Sequence, residues 1–132
     1  MIVVVAESGF LRASIRVNLV PAGYRILEIE PASLLDVLGQ LRDLQPGLVL
    51  LDLDIENWSG ETLVRAMRED PYLHATPLVV ITGQGEAVAV ERLSRWGLTE
   101  YLLKPFHAEA LVGIVNALFP PRPREKDQDR AM

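Results

Sequence analysis

The sequence predicts an α/β domain, a doubly wound five-stranded parallel sheet with helices on both faces. Three observations carry that reading. Short apolar runs recur along the chain, each too continuous for a strand with one wet face. Between them lie segments whose apolar residues repeat at helical spacing. Proline and glycine breaks keep the connections short, and five β-then-α units joined this way imply right-handed crossovers.

Taken in order, Ile2-Val3-Val4-Val5 is β-branched throughout and reads as a strand buried on both faces. Ser8 is placed to cap a helix that buries Leu11, Ile15 and Leu19, with Arg12 and Arg16 outside. Pro21-Ala22-Gly23 stops that helix, and Tyr24 to Ile29 follows as a second strand, whose Arg25 and Glu28 suggest a sheet edge. Pro31 opens a second helix with Leu34, Leu35, Leu38 and Leu41 on one face. After Pro46-Gly47, Leu48-Val49-Leu50-Leu51 makes a third buried strand ending at Asp52. A polar loop from Asp54 to Gly60 leads into a third helix holding Leu63, Val64 and Met67.

Leu78-Val79-Val80-Ile81 gives the fourth strand, ending at Thr82-Gly83. A fourth helix covers about Glu86 to Trp96, with Gly97 as its natural terminator. Tyr101-Leu102-Leu103 is a short fifth strand ending at Lys104-Pro105, and a last helix runs from about Ala108 to Leu118. Residues 1–119 thus form the domain, and 120–132, proline-rich and then mixed in charge without an apolar face, read as a disordered tail or truncated linker.

Composition narrows the function classes. At 132 residues the chain supports one sizeable core. A net charge of -5 argues against a general binder of nucleic-acid backbones, and no DNA-binding segment is present. The absence of cysteine excludes a disulfide framework or a thiolate zinc site and fits a cytoplasmic location. No apolar run approaches the roughly 20 residues of a membrane helix, and the apolar N-terminus lacks the basic leader of a signal peptide.

The polar residues that matter stand where the strands end. In open parallel sheets, ligands bind outside the carboxyl ends of the strands. Read in order, those ends are Ala6-Glu7, Asp52, Thr82 and Lys104. In the strand order 2-1-3-4-5, Glu7 and Asp52 would be neighbours, and two ionised carboxylates so close call for a cation. A hard divalent ion such as Mg²⁺ answers that need, and Lys104 answers it as a fixed charge opposite Asp52. Such a site suits phosphoryl transfer, with a carboxylate as nucleophile and metal, lysine and hydroxyl spreading the transferred charge.

Three stretches, Leu48-Val49-Leu50-Leu51-Asp52-Leu53 with Gly60 following, Val80-Ile81-Thr82-Gly83, and Tyr101-Leu102-Leu103-Lys104-Pro105-Phe106, resemble the receiver domain of two-component response regulators. The resemblance covers the chain to about Phe119 and implies a flavodoxin-like sheet of order 2-1-3-4-5. It implies that Asp52 accepts a phosphoryl group from a histidine kinase or phosphotransfer protein. Thr82 would hydrogen-bond that group and Lys104 would pair with it. Glu7, Asp52 and the backbone carbonyl of Asp54 would hold Mg²⁺, Tyr101 would be an aromatic switch, and the Lys104-Pro105 bond would be cis. Such a domain is no enzyme beyond its own Mg²⁺-dependent phosphorylation and dephosphorylation.

The chain departs from the family pattern in places. Ala6 stands where the first of two adjacent acids is usual, and Glu7 stands for the commoner aspartate. Glu56 takes the place of a loop proline, and Ser59 that of an aspartate before Gly60. Losing one acid should weaken Mg²⁺ binding unless the Asp54 side chain turns inward. The alternative to a phosphorylation switch is therefore an atypical pseudo-receiver, a phosphorylation-independent protein-binding module.

Residues outside the constellation read more plainly. Ala87 to Val90 in the fourth helix and Ala108, Ala110, Val112, Gly113 and Ala117 in the last leave little polar surface, which suits a downstream target or a homodimer at the face of helix four, strand five and helix five. Core packing accounts equally well for Tyr101. Trp58 reads as a loop residue over the pocket and Trp96 as a packing residue of helix four. Neither His74 nor His107 has a second ligand nearby in sequence.

Overall fold

A computed structural model describes residues 1–83, 87–97 and 99–121, with residues 87–89 as backbone only. Strands β1 (Ile2–Val5), β2 (Ile26–Ile29), β3 (Leu48–Asp52), β4 (Leu78–Thr82) and β5 (Glu100–Leu103) alternate with helices α1 (Gly9–Leu19), α2 (Leu34–Leu44), α3 (Gly60–Glu69), α4 (Ala87–Ser94) and α5 (Ala108–Leu118). The strands pair in parallel in the order β2-β1-β3-β4-β5. Val5 stands opposite Leu51, Asp52 opposite Ile81 and Thr82 opposite Leu103. Four strand ends therefore lie within about a residue of level, at one edge of the sheet.

The continuous apolar runs divide by alternation between two cores. Val3, Val5, Val49, Leu51, Leu78 and Val80 face one side, where Leu41 of α2, Leu63 and Met67 of α3, and Leu93 of α4 cover them. Ile2, Val4, Leu48, Leu50, Val79 and Ile81 face the other, against Ile15 and Leu19 of α1 and Leu111 and Val115 of α5. All four residues of β1 and all five of β3 and β4 are buried, which explains why those strands carry no alternation in the sequence. β2 is an edge strand as expected, and its Glu28 pairs with Arg12 and Arg16 of α1.

Caps decide where two helices begin. The Ser8 hydroxyl accepts the Leu11 N–H at 3.1 Å and starts α1 as the sequence suggests. For α2 the expectation needs correction: Pro31 does not open the helix. Ser33 is the cap, its hydroxyl accepting the Asp36 N–H at 3.1 Å, and Leu34 is the first helical residue. The apolar face moves with it. Val37, Leu38 and Leu41 are buried, whereas Leu35 is 80% exposed. α4 ends at Ser94, so Trp96 belongs to the turn after it, which closes on Gly97 at φ +76°. Glu86, the expected start of that helix, lies outside the described residues.

The amino ends of the strands are tied by side chains bonded to main chain. Arg68 of α3 donates to the carbonyls of Thr76 (2.7 Å), His74 (3.2 Å), Leu73 (3.5 Å) and Gly97 (3.1 Å), joining the segments that precede β4 and β5. Burial lowers its guanidinium pKa. Asp70, buried at the end of α3, accepts the Tyr72 N–H at 2.8 Å and pairs with Arg42 of α2. Burial favours its neutral form, yet the Tyr72 and Leu73 N–H groups and Arg42 outweigh that and hold the carboxyl below its usual range.

Beyond α5, Phe119 stacks on Tyr24 with ring centroids 6.1 Å apart, and its edge lies where a Cβ at Gly47 would collide with it. The Tyr24 hydroxyl donates to Asn116 Oδ1 at 2.6 Å. Pro121 is half-buried beside Gly23. Residues 122–132, most of the expected tail, lie outside the described residues.

Candidate functional site

Asp52 is the last residue of a fully buried strand, and its side chain is only 4% exposed. A carboxylate in that position needs partners. Lys104, just past the end of β5, donates its ammonium to both oxygens of Asp52, at 2.9 and 3.0 Å. The Asp54 N–H donates to Asp52 Oδ1 at 3.0 Å, so the loop after β3 folds back over the strand end. The Lys104 N–H in turn donates to the Thr82 carbonyl at 2.7 Å and fixes the lysine beside β4. The Lys104-Pro105 bond is cis, as the family resemblance implied.

Lys104 holds a second acid as well. Its ammonium donates to Asp54 Oδ2 at 2.9 Å, and this carboxylate is 51% exposed where that of Asp52 is nearly enclosed. Partial burial works against the charged lysine, but hydrogen bonds and charge from Asp54 and Asp52 outweigh it and raise the Lys104 pKa above its ordinary value. Nothing in the sequence pointed to this pair; it joins residues 50 positions apart.

Thr82 is fully buried at the end of β4, level with the Asp52 end of β3, and its hydroxyl donates to the Gly83 carbonyl at 3.4 Å. Glu7 reaches the same end of the sheet, but its carboxylate accepts the Glu56 N–H at 2.7 Å and so clasps the β1–α1 loop to the β3–α3 loop. Arg12 fastens the back of the β1–α1 loop by donating to the carbonyls of Ala6 (2.6 Å) and Glu7 (3.1 Å). Among the described residues no group of three or more aspartate, glutamate, histidine or cysteine side chains is gathered as a metal site. The donors nearest that description, the carboxylates of Asp52 and Glu7 and the Asp54 carbonyl, are hard oxygens of the kind Mg²⁺ takes.

Tyr101 sits on edge strand β5, 43% exposed, opposite Val80. Leu103, two residues on, is 40% exposed. On α5, Ala108, Glu109, Ala110, Gly113 and Ala117 are exposed, so the small-residue side of that helix faces outward. Of the apolar start read for helix four, residues 87–90, Val90 is buried in the core and not on a partner surface, and residues 87–89 lie outside the described side chains. Trp58 is half-buried against the core between the sheet and helices α2 and α3, and its indole N–H has no hydrogen-bond partner. Trp96 is 38% exposed with the Arg65 guanidinium 4.9 Å over its ring.

Comparison with known proteins bears on the arrangement. Residues 2–116 match the family described as the response regulator receiver domain. The chain is 30% identical over 117 residues to the phosphate regulon transcriptional regulatory protein PhoB of Pseudomonas aeruginosa, covering 89% of this chain and 50% of that one. It is 34% identical over 94 residues to the DNA-binding response regulator MtrA of Mycobacterium tuberculosis, covering 71% of this chain and 38% of that one. The chain thus spans half or less of these relatives, and what their names say of DNA or transcription belongs to them. Among solved structures, the chemotaxis protein CheY4 of Vibrio cholerae superposes with a TM-score of 0.78 at 21% identity, covering 89% of this chain and 97% of that one. The Mn²⁺-bound form of response regulator Rcp1 does so with a TM-score of 0.75 at 20% identity, covering 93% and 97%. These two likenesses establish the fold.

Proposed function

The chain belongs to the response regulator receiver domain family, and from that premise we propose that it is a phosphorylation-driven cytoplasmic switch whose acceptor is Asp52. The observation that carries the reading is the two-oxygen grip of Lys104 on a buried strand-end carboxylate, 2.9 and 3.0 Å long. An enclosed aspartate with a lysine already facing it is prepared to become a more highly charged group.

In the proposed reaction an Asp52 oxygen attacks the phosphorus of a phosphohistidine on a kinase or phosphotransfer protein. An O–P bond forms and the P–N bond breaks, and the imidazole leaves with the electron pair and takes up a proton. Lys104 then follows the negative charge outward from carboxylate to phosphoryl oxygens. The Thr82 hydroxyl turns from the Gly83 carbonyl to donate to the same group. Tyr101, on the neighbouring strand, moves into the space Thr82 leaves. This changes the face of α4, β5 and α5 that a downstream protein or a second copy of the chain would read.

Asp52, Glu7 and the Asp54 carbonyl would hold Mg²⁺, whose charge when bound stabilises the phosphoryl group in transit. Its binding is expected to be weak, because position 6 supplies no carboxylate and one Glu7 oxygen already accepts the Glu56 N–H. The same two facts favour the second reading, a pseudo-receiver that binds a partner without being phosphorylated.

Incubation with acetyl phosphate and Mg²⁺ followed by intact-mass measurement separates the two. A gain of one phosphoryl group in the native chain and none in Asp52→Asn is the expected result. A native chain that stays unmodified while correctly folded would leave the binding module.

A further inference from the structure

We propose that the Asp54 carboxylate restrains phosphoryl transfer to Asp52 by holding Lys104, a positioning role that rests on Asp52 being the acceptor. The lysine has one ammonium and two carboxylates to serve, at 2.9 Å from each. Stabilising the transferred group requires that the ammonium shift from the Asp52 oxygens towards the incoming phosphoryl oxygens, where the negative charge gathers. Asp54 competes for the lysine at that moment. Its carboxylate is half exposed and stands on the solvent side of an enclosed site, so it also sets a negative charge in the path of an anionic donor.

Asp54 and Asp52 are also locked in register by the main chain. The Asp54 N–H donates to Asp52 Oδ1 at 3.0 Å, which fixes how far apart the two carboxyl groups stand. Exchanging the Asp54 carboxylate for a neutral amide leaves this N–H and the Asp54 carbonyl in place. It removes the competing charge, leaving at most a neutral acceptor, and keeps the proposed metal donor and the loop contact.

The test measures the rate at which acetyl phosphate labels the native chain, Asp54→Asn and Asp54→Glu, by intact mass at low salt and again at 0.5 M salt. Asp54→Asn should be labelled about two- to fivefold faster at low salt, the range a partly exposed ion pair supports. The advantage should shrink at high salt, where the charge is screened. Asp54→Glu should return towards the native rate, since it restores the charge. Equal labelling of the native chain and Asp54→Asn, or slower labelling of the variant, overturns the restraint and leaves Asp52 as acceptor. No labelling of any of the three folded proteins defeats both.

Discussion

The two ends of the sheet handle buried charge in opposite ways. At the amino ends, Arg68 is bonded to four main-chain carbonyls and Asp70 to a main-chain N–H. Those partners cannot swing away without unfolding the loops they belong to. At the carboxyl ends, Lys104 is shared between the side-chain carboxylates of Asp52 and Asp54. Those partners can be exchanged one for another at little cost to the fold. A charge set on backbone builds architecture; a charge set on other side chains leaves the arrangement free to respond.

Three substitutions probe that contrast. Arg68→Ala removes the tie between the segments before β4 and β5 and should cost about 2–3 kcal/mol in chemical denaturation. Whatever protein remains native should still be labelled at Asp52. A loss under about 0.5 kcal/mol would show that the carbonyls find water as readily as arginine.

Asp70→Asn should cost less, about 1–2 kcal/mol, because the amide still accepts the Tyr72 N–H while losing the charge that attracts Arg42. Its pH behaviour carries the sign. The folded carboxyl titrates below its unfolded value, so its contribution is present at neutral pH and lost as pH falls through the acidic range towards the folded pKa. The variant should therefore lose less stability on acidification than the native chain, as acid titration followed by circular dichroism would show.

Lys104→Gln should have the smallest effect on stability, about 1 kcal/mol or less, since glutamine can still donate to Asp52 and the native ammonium is 29% exposed. Its functional effect should be large, with any phosphoryl-dependent change in Trp fluorescence or partner binding abolished. Should Lys104→Gln unfold the chain as readily as Arg68→Ala, the contrast between the ends fails.

Much of this could be read from residues alone, for physical reasons that also mark where reading stops. β1, β3 and β4 are buried on both faces, so they appear as short unbroken apolar runs, each closed by polar or turn residues. Their parallel order then carries Asp52, Thr82 and Lys104 to one end without further information. The start of α2 was misread because Pro31 and Ser33 are both credible openers, and only the hydroxyl's reach to Asp36 decides between them. Leu35 was counted with the apolar face, but of that adjacent pair only Leu34 packs against the core. The loops were opaque. The bonds from Glu56 to Glu7 and from Lys104 to Asp54 join distant segments through conformations that have no period, so sequence spacing gives no sign of them. Trp58 illustrates the same limit: its loop position gives no sign that it packs in part against the core on the α2–α3 side.

The ring of Phe119 lying against Gly47 has a practical corollary. Gly47 immediately precedes β3 and Asp52 ends it, so the close of the last helix is about five strand residues, or roughly 17 Å, from the acceptor. A reporter fused behind residue 121 would hang beneath the sheet, leaving the acidic mouth open to a donor protein. Replacing Gly47 by alanine would displace that anchor and let the cargo wander, which makes one methyl group a tool for asking whether exit geometry matters.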